Sequence, residues 1–260
     1  MQVWNTVPEW IDRRRAIAGR TIGFVPTMGA LHRGHSSLVE RCRRENEIAV
    51  VSIFVNPSQF NDPKDLERYP RTLDNDLALL DGLGVDDVLA PAMRELYPHG
   101  YRFRVEAESI TNVMEGVHRP GFLQGVMTIV LKLLNLVGPD RAYFGEKDYQ
   151  QLKIIREMVA DFFIPTEIVL CPTLREKSGL AESSRNALLP AEAREKAPAL
   201  FRTLTTVATA GQARAILEAN GFTVDYVEDH WGRRFAAVFL DGVRLIDNVP
   251  LLEGRYASVP

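Results

Sequence analysis

Short apolar runs alternate with amphipathic stretches through the first two-thirds of the chain. "TIGFVP" (residues 21–26) reads as a strand ended by proline, and "HSSLVERCRREN" as a helix with Leu38, Val39 and Cys42 on one side. "IAVVSIFV" (48–55) is a continuous apolar strand, so the three segments predict one βαβ unit. Continuous rather than alternating apolarity suits parallel strands covered on both faces, and "VDDVLAP" and "TEIVLCPT" extend the series. "GEKDYQQLKIIREMVAD" opens at Gly145 and sets Leu152, Ile155 and Val159 on a helical stripe. Lys147, Asp148 and Gln151 then belong to the first turns of that helix, where anions are attracted.

The pattern changes near residue 172. "PTLREKSGLAESSRNALLP" is polar and turn-rich, two short helical stretches separated by Pro198 follow, and "FTVDYVEDH", "RFAAVFLDG" and "VRLIDN" predict a small antiparallel sheet. The reading is a domain of residues 1–172 and a smaller α+β domain, a lid, of residues 173–260.

Composition agrees with a globular chain and removes several function classes. The 260 residues are 46% apolar, enough for a sizeable core, and the longest apolar stretch, "VMTIVLKLLNLV", is interrupted by Lys132 and too short for a membrane span. A net charge of −3, from 31 basic and 34 acidic residues without long runs, gives no field suited to general nucleic-acid binding. Cys42 and Cys171 make neither a metal spacing nor a disulfide framework, and the N-terminus lacks a secretory pattern, so a reduced, cytoplasmic setting is expected.

"PTMGALHRGHSSL" (26–38) lies between the first strand and the first helix, where open α/β sheets bind ligands and a helix N-terminus offers unpaired N–H groups to phosphate. Gly29 and Gly34 allow close backbone approach. His32 and His35, three apart on one face, suit donation to a polyphosphate whose charge rises during transfer. Two other readings stand beside this clamp. One is zinc ligation, which normally needs three protein ligands; the other is a plain helix cap with exposed imidazoles. The stretch is not a Walker loop, since the Gly-Lys-Ser/Thr ending is missing.

The residues resemble a known family. "PTMGALHRGH" is similar to the signature of the pantothenate synthetase (pantoate–β-alanine ligase) family, within the nucleotidyltransferases marked by His-x-Gly-His. "SIFVNPSQF", "YPRTLDND", "HRPGFLQGVMTIVLKLLNLVGPD", "FGEKDYQQL" and "SSRN" follow in the family's order, and the resemblance resumes weakly at "VRLIDN". It implies a Rossmann-like parallel-sheet domain with a smaller closing domain, commonly as a homodimer. The implied reaction condenses pantoate with β-alanine at the expense of ATP, through a pantoyl adenylate, releasing AMP and diphosphate. Neither step needs a protein nucleophile, which suits a site built on positioning and charge.

The resemblance also implies roles. His32, His35, Lys147 and Arg185 would act on the phosphates, with His35 the position usually called the catalytic acid. ATP would lie along Pro26, Thr27, Met28, Gly29, Gly34, Gly145, Glu146, Asp148, Leu174, Ser183 and Ser184. Gln59 and Gln151 would hold pantoate, Asn56 would belong to that pocket, and Asp76 would face Mg²⁺ through water. Ser183 to Arg185 resemble a mobile phosphate-binding loop. Three departures bear on this: Glu182 replaces an apolar residue, Ser178 an aspartate and Phe122 a histidine. The rival classes are another His-x-Gly-His nucleotidyltransferase, which would need a different acceptor pocket, and a non-catalytic nucleotide-binding module. A tRNA-binding synthetase relative is disfavoured by the lack of a basic surface.

Overall fold

The structure is a computed structural model that describes residues 1–61 and 63–251. The chain forms two compact units: Met1–Glu146 with Gln150–Pro172, and Lys147–Tyr149 with the residues from Thr173 on. Residues 147–149, which a boundary at 172 leaves in the first domain, group with the second unit.

The first unit is built on six parallel strands: β1 (Gln2–Trp4), β2 (Ile22–Thr27), β3 (Ile48–Ile53), β4 (Asp87–Leu89), β5 (Arg141–Gly145) and β6 (Glu167–Cys171), in the order β1-β4-β3-β2-β5-β6. All except β1 and β5 coincide with the apolar runs; "QVW" and "RAYFG" are too short or too mixed to stand out. The chain moves from β2 through β3 to β4 on one side and resumes with β5 on the other. The sheet therefore reverses direction between β2 and β5, the topology that opens a crevice at the strands' carboxyl ends.

Alternation along β2 sends Val25 into one core with Val39, Cys42, Val51, Leu80 and Tyr143, which leaves Phe24 for the opposite face. Gly23 shares the Val25 face. A Cβ there would overlap the Asn46 amide and sit 2.6 Å from Cys42 Sγ, so glycine is what lets the helix Arg33–Glu45 lie close against the sheet. The helix Phe122–Val137 buries ten of its residues, which accounts for the long apolar stretch as part of the core. Among the described residues, no helix is long and apolar enough to cross a membrane.

The second unit holds the antiparallel meander β7 (Thr223–His230), β8 (Arg233–Leu240) and β9 (Val243–Pro250). The helices Ala191–Lys196, Ala199–Thr206 and Ala210–Ala219 complete it, with Pro198 between the first two as the sequence predicts. Leu200, Leu204, Leu217, Phe222, Val238 and Leu245 make its own core.

Candidate active site

The loop after β2 turns on backbone geometry that only certain residues tolerate. Gly29 has φ +78°, and a Cβ there would come within 3.0 Å of Asp76 Oδ2 and 3.1 Å of Ile53 Cγ2. Ala30 follows at φ +49°. Asp76, 3% exposed in the helix Leu73–Gly82, holds this turn: Oδ2 accepts the Ala30 amide at 2.9 Å and the Thr72 hydroxyl at 3.2 Å, and Oδ1 accepts the Leu31 amide at 2.8 Å. Thr27 donates its hydroxyl to Ser52 O at 2.7 Å and accepts the Gly29 amide at 3.2 Å. Pro26 and Met28 are half-buried between these anchors.

The helix Arg33–Glu45 then starts on an unusual cap. His32 is the N-cap and its Nδ1 accepts the Gly34 amide at 3.1 Å, while His35 Nδ1 accepts the His32 amide at 3.4 Å. Capping normally falls to Ser, Thr, Asp or Asn, whose short side chains have nothing further to offer. An imidazole that accepts at Nδ1 carries its proton on Nε2 when neutral, so reciprocal capping fixes both rings as Nε2–H donors. The two rings lie 4.1 Å apart between centroids, tilted by 43°. The plain-cap reading is thus half right, because the cap is what orients the donors. The zinc reading lacks ligands: among the described residues, no group of three or more His, Cys, Asp or Glu side chains is placed to hold a metal.

Beside β2, β3 runs into the 3₁₀ turn Pro57–Gln59. Gln59 is 7% exposed, yet its side-chain amide has no hydrogen bond within the described residues. Asn56 differs from its expected role as a substrate ligand. It is 1% exposed, its Nδ2 donates to Gly125 O at 3.2 Å, and its Oδ1 accepts from Ser58 Oγ at 3.0 Å and Tyr97 OH at 3.3 Å. Both ends of the amide are spent on protein, so Asn56 sets the turn that presents Gln59.

Arg119, in the quoted "HRPGF", had no role from sequence. Its guanidinium donates to Gln59 O at 2.9 Å, pairs with the buried Glu115 carboxylate at 3.3 Å and lies 3.7 Å from the centroid of the Phe122 ring. The phenyl at 122 therefore supplies a cation–π face under the arginine, at the position where the resemblance implies a histidine.

Beyond β5 the chain makes the 3₁₀ turn Glu146–Asp148 before the helix Tyr149–Asp161. Lys147 and Asp148 thus precede the helix rather than forming its first turn. Gly145 ends β5 with open space around its Cα, and Glu146 is half-buried. The paired glutamines that follow have opposite fates, because one helical step turns a side chain by roughly 100°. Gln150 is buried and bonded to Ile110 O, Val113 O and the Glu115 amide at 2.9, 3.0 and 3.0 Å. Gln151 is half-buried, with no side-chain hydrogen bond within the described residues. The segments after β3, β2 and β5 leave one edge of the sheet from neighbouring strands, about 4.8 Å apart. That edge gathers Gln59, the 26–35 loop and Gly145 with Glu146.

In the second unit, Lys147 Nζ lies 3.8 Å from Asp148 Oδ1, and Asn248 Nδ2 donates to Lys147 O at 2.9 Å. Residues 175 and 181 bridge across a hairpin, and the half-buried Leu174 accepts the Glu182 amide at 3.0 Å. Ser178 Oγ accepts the Leu180 amide at 3.4 Å, so serine caps this turn as aspartate would. Ser183 caps the 3₁₀ turn Ser184–Leu188 by accepting the Arg185 amide at 3.3 Å. Asn186 pins that turn through Nδ2 to Ala181 O at 2.9 Å.

The comparisons with known proteins agree over the whole length. The Pantoate-beta-alanine ligase family profile matches residues 1–250. The chain is 52% identical over 250 residues to a pantothenate synthetase of Bdellovibrio bacteriovorus, covering 96% of this chain and 99% of the relative. It is 49% identical over 249 residues to one of Legionella pneumophila, covering 95% and 99%. A crystal structure of pantoate-beta-alanine ligase from Francisella tularensis, complexed with beta-gamma ATP and beta-alanine, superposes with a TM-score of 0.93 at 40% identity over 98% of this chain and 99% of that one. Pantothenate synthetase from Thermus thermophilus gives 0.90 at 44% identity, covering 96% and 99%.

Proposed function

The chain belongs to the pantoate–β-alanine ligase family, and from that premise we propose how its own residues run the family's reaction. The enzyme condenses pantoate with β-alanine in an ATP-dependent reaction. Pantoate's carboxylate attacks the α-phosphorus of ATP and diphosphate leaves; the amine of β-alanine then attacks the acyl carbonyl of the adenylate and AMP leaves.

The observation that carries the assignment of residues is the reciprocal histidine cap. Its two Nε2–H donors are fixed before substrate arrives, so no reorganisation is needed as charge builds on the bridging and leaving phosphate oxygens. His35 and His32 act as hydrogen-bond donors to the phosphates, a role that needs no proton transfer. The bare backbone at Gly29 and Gly34, with Pro26, Thr27 and Met28, lines the nucleotide. Lys147 and Arg185 supply positive charge, while Gly145, Glu146, Asp148, Leu174, Ser183 and Ser184 complete the ATP contacts, with residues 183–185 acting as a mobile loop of a closing second unit.

Gln59 and Gln151 hold pantoate. A glutamine amide both donates and accepts, which matches a molecule carrying hydroxyls and a carboxylate. Two such amides without hydrogen-bond partners among the described residues, one of them in a buried position, are groups that a polar ligand would satisfy.

Mg²⁺ fits this chain only alongside the nucleotide. Asp76 gives three of roughly four lone-pair sites to protein donors, which leaves room for one metal-bound water, and magnesium commonly takes its other ligands from phosphate and solvent. When bound, the ion neutralises phosphate charge. Asp76 itself holds the Ala30–Leu31 turn. A homodimer in the cytoplasm is the expected setting of the reaction.

The test is AMP release by purified protein with Mg-ATP, pantoate and β-alanine, omitting each substrate in turn and identifying the product by mass. Pantothenate that requires all three is the expected result. ATP cleavage independent of pantoate would overturn the assignment.

A further inference from the structure

We infer that the adjacent residues Asp247 and Asn248 on β9 are positioning residues for adenylate formation, holding in register the two segments that carry Lys147 and Arg185. This rests on the reading of those two cations as phosphate ligands.

The sequence run "VRLIDN" is apolar and then ends in two polar residues, and both are buried: Asp247 is 4% exposed and Asn248 2%. Burying a carboxylate and an amide in a strand is unfavourable unless each finds partners. The side-chain partners they find lie at Arg175, at Lys147 and at Arg233 on the neighbouring strand β8. Asp247 forms a bidentate pair with Arg175, at 2.6 Å from Nη1 to Oδ2 and 2.9 Å from Nη2 to Oδ1. The same guanidinium donates to Gly179 O at 3.1 Å and lies 3.9 Å from the Phe201 ring centroid. Arg175 therefore ties both arms of the hairpin that leads directly into Ser183, Ser184 and Arg185.

Asn248 faces the other segment. Its Nδ2 donates to Lys147 O at 2.9 Å, and its Oδ1 accepts Arg233 Nε at 2.6 Å. Arg233 in turn lies 4.6 Å from the Tyr149 ring centroid, and Phe235 packs against the same ring at 5.9 Å. The turn 147–149 is thus gripped at its first carbonyl and at its last side chain by β8 and β9. This explains why these three residues group with the second unit although the chain enters from Glu146 and continues into Gln150 of the first. Successive strand residues point to opposite faces, so one dipeptide can fix two segments at once. A rigid spacing between two cations matters because a misplacement of about 1 Å can cost ~100-fold in rate.

The test uses Asn248→Asp, which keeps the size and the acceptor for Arg233 but removes the donor to Lys147 O. Single-turnover adenylate formation from Mg-ATP and pantoate should fall ~10-fold with the KM for pantoate unchanged, and the effect should disappear in a Lys147→Ala background, because coupled residues are not additive. Arg233→Gln is the second variant, expected to lose ~3-fold with the same dependence on Lys147, should the aspartate variant not fold. An equal loss in both backgrounds, or wild-type rates in folded Asn248→Asp while Lys147→Ala is impaired, overturns this inference alone. Wild-type rates in Lys147→Ala overturn it together with the phosphate-ligand reading.

Discussion

Asp76 Oδ1 accepts the Leu31 amide at 2.8 Å, joining a helix at residue 76 to the loop after β2 across 45 positions of sequence. With the Ala30 amide on Oδ2, one buried carboxylate holds two consecutive N–H groups of a turn in the left-handed region. Asp76→Ala leaves both amides without their acceptor and should cost about 1.5–3 kcal/mol, the range for hydrogen bonds to a charged group. Denaturant titration reads this directly. A variant as stable as the parent would show that the loop holds its shape without Asp76.

His35 caps through Nδ1, and the proposed phosphate contact is through Nε2, so two substitutions separate the roles. Asparagine at 35 keeps an acceptor near the Nδ1 position, and glutamine places a donor near Nε2. His35→Ala should fold and lose adenylate formation by ~100-fold, the range for deleting a transition-state charge stabiliser. His35→Gln should recover part of that loss, and His35→Asn should recover stability without rate. Equal rates for asparagine and glutamine would remove the donor role.

Gln59 and Gln151 should be separable from Gln150 in the same way. Gln59→Leu or Gln151→Leu removes an amide that has no side-chain hydrogen bond among the described residues, so stability should hold while the KM for pantoate rises about tenfold or more, the worth of one polar contact of about 1.4 kcal/mol. Gln150→Leu removes three internal bonds instead and should lower the melting temperature. Steady-state kinetics beside thermal melts would reject the division if the two groups behaved alike.

The buried thiols give a pH prediction. Burial pushes the Cys42 thiol up to about 12, and burial likewise raises Cys171 despite the neighbouring Arg41. A thiol whose folded pKa lies above its unfolded value, near 8.5, favours the folded state fully below that pH and progressively less as pH rises toward the folded value. Stability should therefore fall from about pH 8.5 up to about 12, and Cys42→Ala should flatten that decline. At pH 8 the native protein should leave both thiols unreacted with an aromatic disulfide reagent, and denatured protein should expose both. Rapid labelling of the native protein would contradict the burial argument.

The parallel strands β2, β3, β4 and β6, the helix Arg33–Glu45 and the antiparallel tail were legible because each is a local pattern: a continuous apolar run, a helical stripe, a turn-bounded pair. The pairing of His32 and His35 was legible for a similar reason, since a spacing of three residues at a helix start is local geometry. The family's motifs identified Gln59, Lys147, Gln151 and Arg185 as candidates. Strand β5 escaped because "RAYFG" mixes charge, aromatic and glycine, and it becomes a strand only through its neighbours β2 and β6.

Which polar side chains the fold itself consumes was settled by tertiary structure alone. Asn56 is a candidate ligand group in sequence and Gln150 adjoins another, Gln151; the amides of Asn56 and Gln150 are consumed by Gly125, Tyr97, Ile110 and Val113, partners far away along the chain. Asp76, Arg119, Asp247 and Asn248 gain their roles from contacts of the same long-range kind. A hydrogen bond between distant residues leaves no periodicity behind, because its direction depends on how the elements pack. The sequence by itself determined most of the elements, through local apolar and helical patterns, and the family, through its motifs; only packing decided that the two histidines cap a helix and which polar side chains the fold consumes, because those bonds depend on how distant elements meet.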